Sequence, residues 1–580
     1  MPSKLGGQIF IDVWGLIAPN NPELAAEFAE KAASVSHDRE GIYGGQFIAA
    51  CIAAAFSASS MDEIIAAGLR VIPADSEYVR VTKAVMDFHQ AHPDNWRDCF
   101  QFVKDNFGYD RYPGVCHIIP NSAVMVLSLL YGEGDFSKTI NICNMCGWDT
   151  DCNVGNVGTI MGVYKGLDGI EDSWRKPIND FLCTSSVIGA ANITDIPASA
   201  TYTAAIGYKV AQTERSDYFQ KILTGEAPVF HFEYPGSTHA FLTEVDDQED
   251  EAQIFIENSE EQALNGQRSL KMSIDRVTGG NSYRLYQKTY YRPADFNDNR
   301  YDPAFSPKFY PGQTVDVSFA QSAGNQTDIK IRLYALDSNN QVYHYGDWQT
   351  ITDTDWANIS YTVPYLADAC IEEVGVEITP LATAHGGLVY YLDSMDFQGQ
   401  PNYQIDFSNS SLEEWNPIHQ EINQFTYLRG HWVLEDGYLS GSMSGEAAEC
   451  YTGAPEWDNY EVNAVILPKV GYHHRVLFRV QGAIRSYAVG LEEGNKLVLL
   501  KNDHGYQVLA EAEVDWKLDQ SYTVNIQADQ NTITVSLDGT KYITFTDDQS
   551  PYMQGQIGFG NIKGSRTYYK SYSVSGIAHR

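Results

Sequence analysis

The hydrophobic pattern changes period near Pro228, and that change constrains the fold more than any other feature of the chain. From residue 20 to about 225, apolar residues such as Leu24, Phe28, Ala32 and Val35 recur at helical spacing. Asn21-Pro22 is a cap followed by proline at the first helical position. Ser60-Met61-Asp62-Glu63 has the form of a capping box, in which serine and glutamate each satisfy a free backbone N–H. Asp135 opens a further helix and Gly147 ends it. The alanine-rich stretch from Phe47 to Ala55 lets helices approach closely. Beyond Pro228, Val229-Phe230-His231-Phe232-Glu233-Tyr234 reads as a strand and Pro235-Gly236 as a turn. Alternating runs such as Ile329 to Tyr334 and Thr532 to Leu537 then continue to the C-terminus, separated by Gly, Asn and Asp. Such text predicts sandwiches or barrels.

The chain has 580 residues, too many for one core, and domains of about 100–200 residues suggest three or four units. A second boundary falls near Gly399-Gln400-Pro401-Asn402. The expected architecture is multidomain: an all-α helical domain over 1–227, then two all-β jelly-roll sandwiches over 228–400 and 401–580. No apolar run is long enough to cross a bilayer. With 39 Lys+Arg against 75 Asp+Glu, the chain is not drawn to nucleic acid or anionic lipid. Its ligands are expected to be neutral, or bound through metal. The first residues lack the regions of a signal peptide. An exported, periplasmic or extracellular parent protein is nevertheless the expectation, because sandwich modules usually work outside the cytoplasm.

Nine cysteines without regular spacing do not make a disulfide framework. Cys143-Asn144-Met145-Cys146 lacks a second pair of zinc ligands and reads as helix packing. The acidic run from Glu244 to Glu251 is a candidate for structural Ca²⁺ in a sandwich, although a solvated loop is the preferred reading.

The sharpest motif runs Gly147-Trp148-Asp149-Thr150-Asp151-Cys152-Asn153-Val154-Gly155-Asn156-Val157-Gly158. Two carboxylates sit between the end of one helix and the start of the next, where the second helix favours their ionised form. Carboxylate and hydroxyl oxygens are the ligands Mg²⁺ prefers. The alternative is that both aspartates merely cap a helix, and spacing alone does not decide. Gly155, Gly158, Thr159 and Gly162 place small residues on one face, which allows a partner helix to lie close.

The segment from Gly147 to Gly166 resembles the Gly-Gly-Asp-Thr-Asp-Thr signature of the ADP-ribosylglycohydrolase family. Ser36-His37-Asp38-Arg39-Glu40-Gly41-Ile42-Tyr43-Gly44 resembles that family's Ser/Thr-His segment, and Gly7-Gln8-Ile9-Phe10-Ile11-Asp12 its glycine-rich cleft segment. The resemblance covers about residue 5 to about residue 210, in the family's order. It implies a mostly helical fold holding two Mg²⁺ ions between two acidic clusters. It further implies attack of an activated water on the anomeric carbon of a ribosyl bond. Asp149 and Asp151 would then be catalytic metal ligands, Thr150 would support the metal loop, and His37, Asp12, Tyr43 and Trp148 would contact substrate. Two residues depart from the pattern: Cys152 stands for a threonine and Trp148 for a glycine. The family's first acidic cluster has no counterpart, so the chain is expected to begin inside the domain, to bind Mg²⁺ weakly and to turn over slowly or not at all.

Residues 228–399 resemble a galactose-binding-like sandwich, with Val389 to Phe397 as its closing strand. Residues 403–578 resemble a concanavalin- or laminin-G-like jelly roll, through Val476 to Val480, Tyr487 to Leu491 and Gly555 to Phe559. Trp348, Trp356, Trp415 and Trp457 are candidates to stack on sugars, with core packing the default for each. The expected function is metal-dependent hydrolysis of a glycosidic bond in an ADP-ribosylated or glycosylated substrate, with the sandwiches holding glycan. The alternative is a catalytically inactive, truncated remnant that binds carbohydrate.

Overall fold

A computed structural model describes residues 4–215, 217–247, 250–296, 303–416 and 419–577. The chain forms two compact units: Met1–Asn179 with Pro197–Ala227, and Asp180–Ile196 with Pro228–Arg580. The first is helical and the second is built of β-sandwiches.

The helices of the first unit include α1 (Gly6–Ile9), α2 (Asp12–Leu16), α3 (Pro22–Ala33), α4 (Glu40–Ala55), α5 (Met61–Arg70), α6 (Glu77–Ala91), α7 (Trp96–Phe107), α8 (Ile118–Tyr131), α9 (Phe136–Met145) and α10 (Thr150–Lys165), and a further long helix spans Ile196–Ala211. All residues of α8 are buried, so it is the central helix and shows no polar face. The caps form largely as the text predicts. Asn21 accepts from the Leu24 N–H, Ser60 from Glu63 and Asp135 from Lys138. Two details differ. Glu63 reaches back to the Ser59 N–H, one residue before the cap. Val35 lies past the end of α3 and is 86% exposed, because the helix stops at Ala33.

Close approach between helices occurs at α4, as its alanines suggest. A Cβ on Gly44 would stand 2.3 Å from Ile118 Cδ1 and 2.5 Å from Gln8 Oε1. The glycine stripe of α10 does not serve that purpose. A Cβ on Gly155 would meet nothing within 4 Å, and one on Gly158 only Ile140 Cδ1 at 3.5 Å. Cys143 and Cys146 are buried free thiols on the α9 side of the core, as packing requires. Among the described residues, no helix is long and apolar enough to cross a membrane.

In the second unit, the first sandwich joins two antiparallel sheets. One runs 349–351, 329–337, 371–380, 283–288, 242–245, with 342–345 also pairing with 329–337. The other runs 357–362, 314–321, 388–398, 269–274, 254–259. Val229 to Tyr234 is not a strand, contrary to its alternation. Phe230 makes one isolated bridge with Met395, the Val229 N–H is taken by Asp396 Oδ1, and Phe232 has φ +53°. A positive φ at a bulky residue breaks the extended path. The second sandwich has sheets of nine and seven strands. It meets the first through a parallel pairing of Leu366–Ala367 with Tyr403–Gln404. The carboxylates of the acidic run are engaged: Glu244 and Asp246 pair with Arg284, and Asp250 accepts from Tyr283. Gln248 and Glu249 of that run lie outside the described residues. Trp415 and Trp457 are core residues, 8% and 2% exposed, whereas Trp348 is 41% exposed beneath the Arg332 guanidinium.

Residues 180–196 leave the helical unit and return. Phe181–Cys183 pairs antiparallel with Ile193–Asp195, and both belong to the second unit. Asp180 accepts the N–H groups of Thr238 and His239, and Asp195 contacts His239 Nδ1 at 3.2 Å in a site almost free of solvent.

Candidate active site

Gly147, at φ +75°, lets the chain turn out of α9 and into the loop that starts α10. Asp149 occupies the cap position of α10, yet its side chain makes no capping bond. The capping alternative therefore does not account for Asp149. Its carboxylate, that of Asp151 and the Cys152 thiol bring their ligand atoms within 4.8 Å of one another. Asp149 and Cys152 are half-buried and Asp151 is exposed. The backbone N–H groups opening α10 favour negative charge here.

Asn121, fully buried in the first turn of α8, holds this loop in place. Its Oδ1 accepts from the Asp149 N–H at 3.3 Å and from Asn153 Nδ2 at 2.9 Å. Its Nδ2 donates to the Tyr109 hydroxyl and to the His117 carbonyl, both at 2.8 Å. Trp148 packs edge-on against Phe100 and Tyr109, each with ring centroids 5.2 Å away. It thus fills the wall behind the loop.

The thiols of Cys116 and Cys152 both sit within reach of the Asp149 charge. Burial, and then the aspartate charges, push Cys116 up to about 11 and Cys152 up to about 12. Both stay protonated at neutral pH. The donor set is therefore two hard carboxylates beside two neutral thiols. The carboxylates suit one Mg²⁺ that keeps most of its water, and the thiols do not suit it. Asp149 and Asp151 would hold such an ion. Thr150 opens α10 between them, half-buried.

The other predicted residues are placed as follows. His37 Nε2 accepts the Gly7 N–H at 3.1 Å, so the proton resides on Nδ1, which lies 2.8 Å from Ser36 Oγ. Burial lowers its pKa, and the ring is neutral at pH 7. Gly7 leads from Lys4 and Leu5, which pair with His117 and with the Cys116 carbonyl. His37 thus braces the segment that runs beside Cys116. Tyr43 is half-buried on α4 and packs against the helical core. Both carboxylate oxygens of Asp12 are engaged, one with Asn156 Nδ2 and one with Thr159 Oγ1, each at 2.6 Å. Asp12 pins α2 to α10. Cys116, Asn121 and Tyr109 escaped the sequence reading because they lie some thirty or forty residues before the motif and match no spacing rule.

Burial raises Asp12 to about 6, against the hydrogen bonds from Thr159 and Asn156. Its folded value lies above its unfolded one, so the native state holds the proton longer. The contribution of Asp12 to stability is greatest below pH 3.8 and is lost as pH rises to about 6. Asp12→Asn removes that loss and can keep both bonds, because Thr159 can also donate to the Gly155 carbonyl. The variant is expected to exceed wild type by ~3 kcal/mol at pH 8, with the gap closing toward pH 4. Denaturant unfolding across that pH range reads it; a gap independent of pH would show that Asp12 does not titrate in this way.

Residues 3–203 match the family described as ADP-ribosylglycohydrolase. Residues 403–575 match the 3-keto-alpha-glucoside-1,2-lyase-like domain. No curated protein matches the chain. Among solved structures, carbohydrate binding module CBM66 from Bacillus subtilis aligns at 18% identity and TM-score 0.25, covering 26% of this chain and 96% of its own. A Bacillus subtilis protein of unknown function with a galectin-like fold aligns at 16% identity and TM-score 0.23, covering 27% and 90%. A putative glycosyl hydrolase from Parabacteroides distasonis aligns at 12% identity and TM-score 0.21, covering 27% and 89%. The helical unit therefore carries an ADP-ribosylglycohydrolase domain, and the C-terminal sandwich carries a 3-keto-alpha-glucoside-1,2-lyase-like domain.

Proposed function

We propose that the helical domain hydrolyses a glycosidic bond to ribose or a related sugar, with Mg²⁺ held by Asp149 and Asp151, and that the sandwiches hold the glycan part of the substrate. The observation that carries this reading is the convergence of Asp149 and Asp151 at the start of α10, inside the region that matches the glycohydrolase family. Bound Mg²⁺ would supply Lewis acidity toward sugar hydroxyls and water. The half-buried Asp149 accepts hydrogen bonds from a hydroxyl or a water and can take up its proton. Asn121 fixes the Asp149 backbone, so the carboxylate is aimed before substrate arrives. Cys116 and Cys152 remain neutral and add no charge to the site.

One observation favours a non-catalytic, carbohydrate-binding protein. Among the described residues, metal-ligand side chains converge in groups of three or more only at Asp149, Asp151 and Cys152. A two-ion site needs ligands on both sides of the ions. The full chain should be incubated with ADP-ribose conjugates and aryl ribosides, with Mg²⁺ and with chelator, while Mg²⁺ binding is followed calorimetrically. Slow, metal-dependent release of sugar is expected. Absence of both release and binding would leave the carbohydrate-binding reading in its place.

A further inference from the structure

The junction of the two sandwiches encloses a cavity of about 260 Å³. One side comes from Phe397 and Gln398, at the end of the strand Leu388–Gln398 that closes the first sandwich. The other comes from Glu456 and Trp457, in the loop that follows Ala448–Thr452 of the second. Lys308 and Val229 add to the wall. Sites of this kind concentrate where domains meet, and this one is below the ~300–1,000 Å³ of drug-sized pockets.

Its lining is chemically mixed. Phe397, Val229 and Trp457 give an apolar wall. Lys308 offers donors only, Glu456 chiefly acceptors, and the Gln398 carboxamide both. Glu456 is exposed, yet its carboxyl is crowded by protein. The side chain lines the concavity, open to water on one side and walled by protein on the others. Crowding raises its pKa, and the Lys308 charge pulls it partly back. The two groups therefore feel each other across the cavity.

We propose that this cavity binds a single sugar ring, with an apolar ring face on Phe397 and hydroxyls shared between Lys308 and Glu456. A sugar hydroxyl both donates and accepts, so one ring can satisfy a cation, a carboxylate and a carboxamide around one apolar wall. An opposite-charged pair facing a zwitterion would use only two of those groups. The inference rests on the glycan-binding part of the proposed function and places it. It is independent of hydrolysis at Asp149.

The test is saturation-transfer NMR on the full chain with a mixture of methyl glycosides of glucose, galactose, mannose, arabinose and ribose. Glycine and alanine form a second arm. At least one glycoside should receive saturation. Glu456→Gln and Lys308→Met should each weaken its binding by about tenfold or more, the loss expected for a hydrogen bond to a charged group. Trp348→Ala, on the outer surface of the first sandwich, should leave it unchanged. Unfolding midpoints of the variants confirm that they fold. The proposal is overturned by saturation of no glycoside, by saturation of the amino acids instead, by loss with Trp348→Ala, or by folded Glu456 and Lys308 variants that bind as wild type does. Glycoside binding by the wild-type chain alongside absent turnover would remove the hydrolytic reading and leave this one standing.

Discussion

Asp149→Asn is expected to lower metal-dependent turnover by at least about a hundredfold, and Asp151→Asn by less. The two carboxylates stand together, but their surroundings differ. Asp149 is half-buried and Asp151 is exposed to water. A charge in lower dielectric interacts more strongly with a cation or a developing charge. The fold should barely notice the first substitution, because the Asp149 side chain caps nothing. Steady-state rates with added Mg²⁺, beside unfolding midpoints, separate the two effects. Equal losses at both positions, or a large fall in midpoint for Asp149→Asn, would show that the carboxylate is structural.

Asn121→Leu should remove both stability and function. The buried amide accepts from the Asp149 N–H and from Asn153, and donates to Tyr109 and to the His117 carbonyl. Leucine has similar volume but leaves two donors without acceptors in a site closed to water. At ~1–3 kcal/mol for each orphaned group, the loss is on the order of 4 kcal/mol. The loop would also be free to move, so Mg²⁺ affinity should fall in whatever fraction remains folded. Chemical denaturation followed by tryptophan fluorescence reads the first effect, since Trp148 packs on Tyr109. Calorimetric titration reads the second. A variant as stable as wild type would show that Asn121 is not the hub of the loop.

Much of this is legible in the sequence. Helix starts marked by Asn21, Ser60 and Asp135 depend on bonds within four residues, and such signals are written locally. The strand expected at Val229 to Tyr234 failed because its backbone partners lie at Met395 and Asp396, far along the chain. The glycine stripe of α10 suggested helix contact, but the contact that matters is polar, from Asn156 and Thr159 to Asp12. Asp12 was placed against substrate by resemblance; its burial and its two partners are tertiary facts. The motif at Asp149 and Asp151 stood out because both carboxylates come from one short segment. Cys116 and Asn121 join it only through folding.

The excursion of residues 180–196 bears on how this protein can be taken apart or inherited. The chain passes between its units at 179–180, at 196–197 and again at 227–228. A fusion or gene exchange that cuts once, near 228, separates the β unit from the hairpin that belongs to it. The severed piece would keep His239 in its dry site without Asp195, and the N–H groups of Thr238 and His239 without Asp180. The architecture looks modular on paper, yet the two halves are not interchangeable cassettes. Recombination that preserves both must keep residues 180–196 together with the stretch that begins at Pro228, or restore the hairpin in trans.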